Sequence, residues 1–139
     1  LDQAVERLQG EAKELRRDLR QMRERLLYAE AADLFEAAIP RGAYRVVERV
    51  WEGRDPGELR ALAKELISRF KVVALLASVG ERTHLCFACS EGVELDMAAL
   101  LREACKQLGG KGGGQPHLAQ GSGSETDLTR VCAVLSDVI

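Results

Sequence analysis

Four cysteines and two histidines carry most of the chain's potential for chemistry, and their spacing decides how much of it is usable. Cys86 and Cys89 form a C-x-x-C, a spacing that can hold zinc or support thiol–disulfide exchange. Both fall in "THLCFACS", Thr83 to Ser90, whose composition predicts a β-strand. Side chains alternate faces along a strand, so Cys86 points with His84 and Ala88 while Cys89 points the opposite way. No second closely spaced Cys or His pair supplies the remaining tetrahedral ligands, so no metal site is expected. Cys105 and Cys132 lie on or near apolar stripes of helical segments, where a free thiol acts as a small hydrophobe. All four are read as buried structural thiols. Neither His84 nor His117 has a Ser, Cys or carboxylate at a spacing that declares a catalytic triad. Most carboxylates sit on helix faces beside Arg or Lys, the pattern of a solvated surface, and no catalytic residue is expected.

A glycine-rich stretch, "GGKGGGQPHLAQGSG" from Gly109 to Gly123, is the remaining candidate. It lacks the G-x-x-x-x-G-K-[ST] of a phosphate-binding loop, and it follows a helix where a dinucleotide fingerprint follows a strand. Its chemistry still suits anions. Glycines without Cβ atoms let a ligand approach the backbone, and N–H groups can converge on one acceptor. Lys111 adds a cation, and Gln115, His117 and Gln120 add hydrogen-bonding groups. A loop over 109–123 with Lys111, Gly112, Gly113, Gly114, Gln115, His117 and Gln120 as binding residues is therefore expected, the competing possibility being a flexible linker.

The elements that must position this loop are legible in outline. The 139 residues are 46% hydrophobic and 30% charged, which suits one domain core and leaves no room for a second full domain. A formal charge of −2 means that contact with nucleic acid has to come from local patches. Neither a membrane-spanning run nor a secretory signal is present, and a cytoplasmic location is expected. The chain opens at Leu1 in mid-pattern, as a piece of a longer protein would. Leu1, Val5, Leu8, Ala12, Leu15, Leu19, Met22, Leu26 and Ala29 alternate steps of four and three, the period of a coiled-coil seam. With Leu1 at position d, the flanking pairs Glu11–Arg16, Asp18–Arg23 and Arg25–Glu30 are opposite in sign, as in a parallel homodimer. A partner helix elsewhere in a longer protein would fit the same period.

After Pro40–Arg41–Gly42, "YRVVERVWE" reads as a strand, Asp55–Pro56 with Glu58 as a capped start of a helix whose apolar face is Leu59, Leu62, Leu66, Ile67 and Phe70, and "KVVALLASV" as a buried strand forming a hairpin with the next. Asp96 caps a helix with Met97, Leu101, Ala104 and Leu108 inward and Gly109 as its stop. Ser124 with Asp127 caps a last helix carrying Leu128, Val131, Cys132 and Leu135. The expected fold class is α/β in the α+β sense: a mixed sheet covered by helices (40–139), preceded by a long coiled-coil-type helix (1–39).

The stretch "GGKGGGQPHLAQGSG" resembles the signature of the DHHA1 domain, as found in alanyl-tRNA synthetases and long freestanding alanyl-tRNA editing proteins. The matching positions are Gly109, Gly110, Lys111, Gly112, Gly113, Gly114, Pro116, Ala119, Gln120 and Gly121, and the likeness extends over Tyr44 to Gly123. Gln115 stands where the synthetases usually carry Arg, and His117 where they usually carry Asp. The segment "SEGVELDMAALL" is closer to the editing proteins. The resemblance implies a noncatalytic module that engages tRNA, tRNA-Ala first, and forms a homodimer through Val5, Leu8, Leu15, Leu19, Met22 and Leu26. It implies no cofactor in this chain, zinc or ATP belonging to other domains of a parent that is first of all an editing protein hydrolysing mischarged tRNA-Ala, with an alanyl-tRNA synthetase as the next reading. Two alternatives remain: the substrate-binding partner of a DHH phosphoesterase, although no Asp-His-His motif occurs here, and a purely structural dimerisation domain.

Overall fold

A sustained heptad pattern without internal proline gives helix α1 its length, and α1 runs from Asp2 to Glu36 in the computed structural model, which describes residues 2–139. Leu1, the first position of the seam, lies outside the described residues. After α1 come β1 (Ile39–Arg41), β2 (Tyr44–Glu52), α2 (Pro56–Ile67), β3 (Val72–Val79), β4 (Thr83–Cys89), α3 (Met97–Gln107), β5 (Gly110–Gln115), β6 (Leu118–Gly123) and α4 (Leu128–Ser136). The strands form one six-stranded sheet in the order β1-β2-β3-β4-β6-β5. Only β2 and β3, joined across α2, are parallel; the other pairs are antiparallel. The mixed sheet covered by helices and led by a long helix agrees with the expected class.

Two hydrophobic layers sandwich the sheet. One holds Val73, Leu75, Leu85 and Phe87 against α3 and α4; the other holds Val47, Ala74, Leu76 and Cys86 against α2 and the end of α1. Central β3 is buried from Val72 through Ser78, which explains its unbroken apolar run. Helix α3 starts on the Asp96 side chain, which accepts from the Ala99 N–H, and stops where Gly109 takes a positive φ of 74°.

Several local expectations are corrected. Asp55 occupies the cap of α2 without a side-chain hydrogen bond, and Glu58, the other half of the expected capping box, accepts from Arg54 and not from the Asp55 N–H. Asp127, not Ser124, caps α4; the Ser124 hydroxyl donates to the Gly109 carbonyl. The inward stripe of α4 is Val131, Val134 and Leu135, which turns Leu128 and Cys132 outward, so Cys132 is exposed and not a buried thiol. Helix α2 ends at Ile67, one turn before Phe70, which is 79% exposed.

Arg54 ties α1 to the globular body. Its guanidinium forms a two-pronged pair with Glu30 of α1, each N–O distance 2.6 Å, stacks 4.8 Å over Trp51, and reaches Glu58 at 2.9 Å. Hydrogen bonds from Arg54, against a smaller opposing effect of burial, hold the Glu30 carboxyl below its ordinary value of 4.5. A carboxyl lowered in the folded state adds stability that is complete above its unfolded pKa and is lost as pH falls through the folded one. With Arg54 17% and Glu30 34% exposed, Glu30→Gln should cost about 1 kcal/mol at pH 7. That difference should shrink below pH 4.5. Urea midpoints at pH 7 and in acid check this; an equal cost at both would show that the ion pair contributes nothing.

Candidate nucleic-acid interface

The glycine-rich stretch is not a loop. Gly110–Gln115 and Leu118–Gly123 pair as an antiparallel hairpin, with β5 as the sheet's outer edge and β6 bonded to β4. Glycine disfavours strands, so the sequence reads as a loop; pairing with β4 and packing under α3 override that preference. The hairpin's turn is Pro116–His117, and its carbonyls are occupied: Pro116 accepts from the Met97 N–H at 2.8 Å and His117 from the Cys89 N–H at 2.9 Å. Met97 opens α3, so one otherwise partnerless N–H of that helix is satisfied by the turn, which is thereby fixed in place.

Strand register sorts the glycines into two roles. Gly112, Gly121 and Gly123 face α3, where an added Cβ would come within 2.8 Å of Leu101 Cδ2, 2.6 Å of Cys105 Sγ and 2.6 Å of the Leu108 carbonyl respectively. Leu101 and Cys105 of α3 and its C-cap residue Leu108 form one stripe, laid directly on backbone that has no side chains. On this face the missing Cβ of Gly112 makes room for helix packing. Gly114 is likewise packed, its Cβ position lying 2.6 Å from the Leu118 carbonyl. Gly113 is the exception, with nothing within 4 Å of an added Cβ.

Gly113 belongs to the opposite face of the hairpin. Its cross-strand partner is Gln120; Lys111 pairs with Ser122, which pairs with His84, and Gln115 pairs with Leu118. Cross-strand partners share a face, so Lys111, Gly113, Gln115, Gln120, Ser122 and His84 form one open polar surface beside α2. His117, exposed at the turn, stands at the end of that surface. Arg60 of α2 donates to Gln120 Oε1 at 3.3 Å, and a cleft of about 210 Å³ opens between Arg60, Gly113, Gln115 and Gln120. A neighbouring depression of about 260 Å³ reaches His84, Ser122 and Pro56. Sequence reasoning missed Arg60: nothing distinguishes it from other exposed cations until α2 is laid across the sheet, sixty residues away in the chain.

The thiols behave as strand alternation requires, with Cys86 in one layer and Cys89 in the other. Burial pushes the Cys86 thiol up to about 12 and Cys105 to about 11, leaving neither a ready nucleophile at neutral pH. Among the described residues no three His, Cys, Asp or Glu side chains gather at metal-binding range. No described helix is long and apolar enough to cross a membrane.

Comparison with known proteins places this geometry. The chain is 38% identical over 136 residues, 96% of its length, to the alanine–tRNA ligase of Methanosarcina acetivorans, and 32% identical over 131 residues to that of Thermus thermophilus. It spans only 14% and 15% of those proteins. The crystal structure of the C-Ala domain from Aquifex aeolicus alanyl-tRNA synthetase superposes with a TM-score of 0.65 at 30% identity, covering 73% of this chain and 96% of that one. Residues 42–139 match the DHHA1 domain, the span that contains the whole sheet from β2 onward with its glycine hairpin. The chain therefore belongs to the DHHA1 domain family, in the form found as the C-Ala domain of alanyl-tRNA synthetases.

Proposed function

We propose that this chain is a noncatalytic module at the C-terminal end of an alanyl-tRNA synthetase-like protein, where it contributes contacts to tRNA and dimerises through α1. The aminoacylation chemistry, with its ATP and any zinc, then belongs to other domains of a cytoplasmic protein. The observation that carries the reading is the open hairpin face, where Lys111 and Arg60 flank the Cβ-free strip at Gly113 in a chain of net charge −2. Phosphate needs local cations and backbone that can be approached closely, and this surface supplies both. The ligases that match along nearly the whole chain favour a synthetase parent over the editing protein to which Ser90–Leu101 is closer.

The test is affinity for tRNA-Ala at two salt concentrations. Lys111→Ala and Arg60→Ala should each weaken binding at low salt and lower the salt slope by about one, the signature of one lost phosphate contact. Gly113→Val should weaken binding by obstructing approach while leaving the fold intact, since its side chain meets no protein atom nearby. If all three folded variants bind as wild type at both salts, the hairpin is a structural edge and the reading fails.

A further inference from the structure

Phe70 is the most exposed large hydrophobic residue of the sheet-and-helix body, and its exposure is built in. It follows the C-cap of α2 and precedes Lys71, which is the one described non-glycine residue with positive φ, at 54°. Phe70 is off the apolar face of α2 because the helix has already ended at Ile67, and the left-handed step at Lys71 then turns the chain into β3. The turn is held from both sides. The Lys71 carbonyl accepts from the Arg45 N–H at 2.9 Å, and the buried Ser90 hydroxyl bridges the Arg69 carbonyl and the Val72 N–H. Arg69 is committed elsewhere, its guanidinium lying over Tyr28 and Phe35 of α1. Lys71 is the available cation, with Nζ 5.3 Å from the Phe70 ring centroid.

Beside this ring lies a groove of about 660 Å³ whose far wall is Pro116 and His117, the turn of the glycine hairpin. The groove thus continues the open hairpin face around the end of the sheet. Its walls are fixed turns, it presents an aromatic ring to solvent, its lining carries Arg69 and His117 with Glu91 as the one acid, and Lys71 stands beside the ring, outside that lining. An exposed ring on a backbone turn that is held in place, with a cation beside it, is what a nucleobase stacks on, because every base has a π-face.

We propose that Phe70 is a stacking platform for a base of the RNA whose backbone lies along the Lys111–Gly113 face, with Lys71 contacting the adjacent phosphate. This rests on the tRNA reading above. Stacking releases no counterion, so its loss has a signature distinct from that of a lost phosphate contact. With tRNA-Ala as probe, Phe70→Ala should weaken binding about tenfold with the salt slope unchanged, and Phe70→Tyr should restore it. Lys71→Ala should lower the slope by about one. Thermal unfolding of Phe70→Ala should match wild type, since the side chain is exposed. Undiminished binding by Phe70→Ala alongside a weakened Lys111→Ala would overturn the platform alone and leave the groove to a protein partner. A flattened slope for Phe70→Ala would also overturn it, assigning the residue to phosphate positioning. No binding by the wild-type chain at low salt would overturn both readings.

Discussion

Gly121→Val should lower stability by about 3 kcal/mol and the unfolding midpoint by roughly 10 °C. Its Cβ would come within 2.6 Å of Cys105 Sγ, 2.7 Å of Gly112 Cα and 2.9 Å of the Lys111 carbonyl. Two of those three atoms are backbone of the neighbouring strand, which cannot move without breaking the β5–β6 ladder. The third belongs to a fully buried side chain of α3. Gly113→Val, in the facing strand, is the matched control. It meets nothing within 4 Å, and replacing glycine in a strand reduces the entropy of the unfolded chain, so its stability should lie within about 1 kcal/mol of wild type and on the favourable side. Thermal unfolding of the two variants checks the pair. Equal midpoints would mean that α3 does not lie on the hairpin as described, and that the glycines are there for another reason.

Leu15→Asp combined with Leu19→Asp should convert a homodimer into a monomer, raising the dissociation constant by about a thousandfold or more, since two buried leucines contribute on the order of 4 kcal/mol before any charge is buried. Val5, Leu8, Leu15, Leu19, Met22 and Leu26 are between 50% and 72% exposed, an apolar stripe along α1 left largely open by the described residues. The helix docks on its own body through a different stripe, Leu27, Ala31, Leu34 and Phe35, so a partner helix can run along the seam without displacing α2. The complementary charges at Glu11–Arg16 and Asp18–Arg23 remain available for that partner. The third pair does not, because Glu30 is already held by Arg54. The seam should therefore close over Val5 to Met22 and lose its charge pairing near Leu26. Sedimentation equilibrium of wild type and double variant is the measurement. A wild-type monomer at micromolar concentrations, or a dimer indifferent to the two aspartates, would assign the stripe to a helix outside this chain.

Periodic and capping signals carried far in this protein. The length of α1, the doubly buried β3, the β3–β4 hairpin and the inward stripe of α3 ending at Gly109 follow from spacing and local backbone preference. The opposed faces of Cys86 and Cys89 follow from strand alternation alone. Each of these depends on interactions within a few residues or on a repeat that one element must satisfy by itself. The hairpin could not be read that way. Lys111–Gly112–Gly113–Gly114 has the composition of a loop, and it is a strand because β4 offers a hydrogen-bonding edge and α3 offers a ridge that only Cβ-free backbone can fit beneath. The same long-range packing decided that Gly113 faces outward and Gly112 inward, that Arg60 joins the hairpin surface, and that α2 ends before Phe70 and leaves it exposed. Local preference names the residues able to bind; only the register between distant strands, fixed by which face of the sheet must be buried, determines which of them reach solvent together.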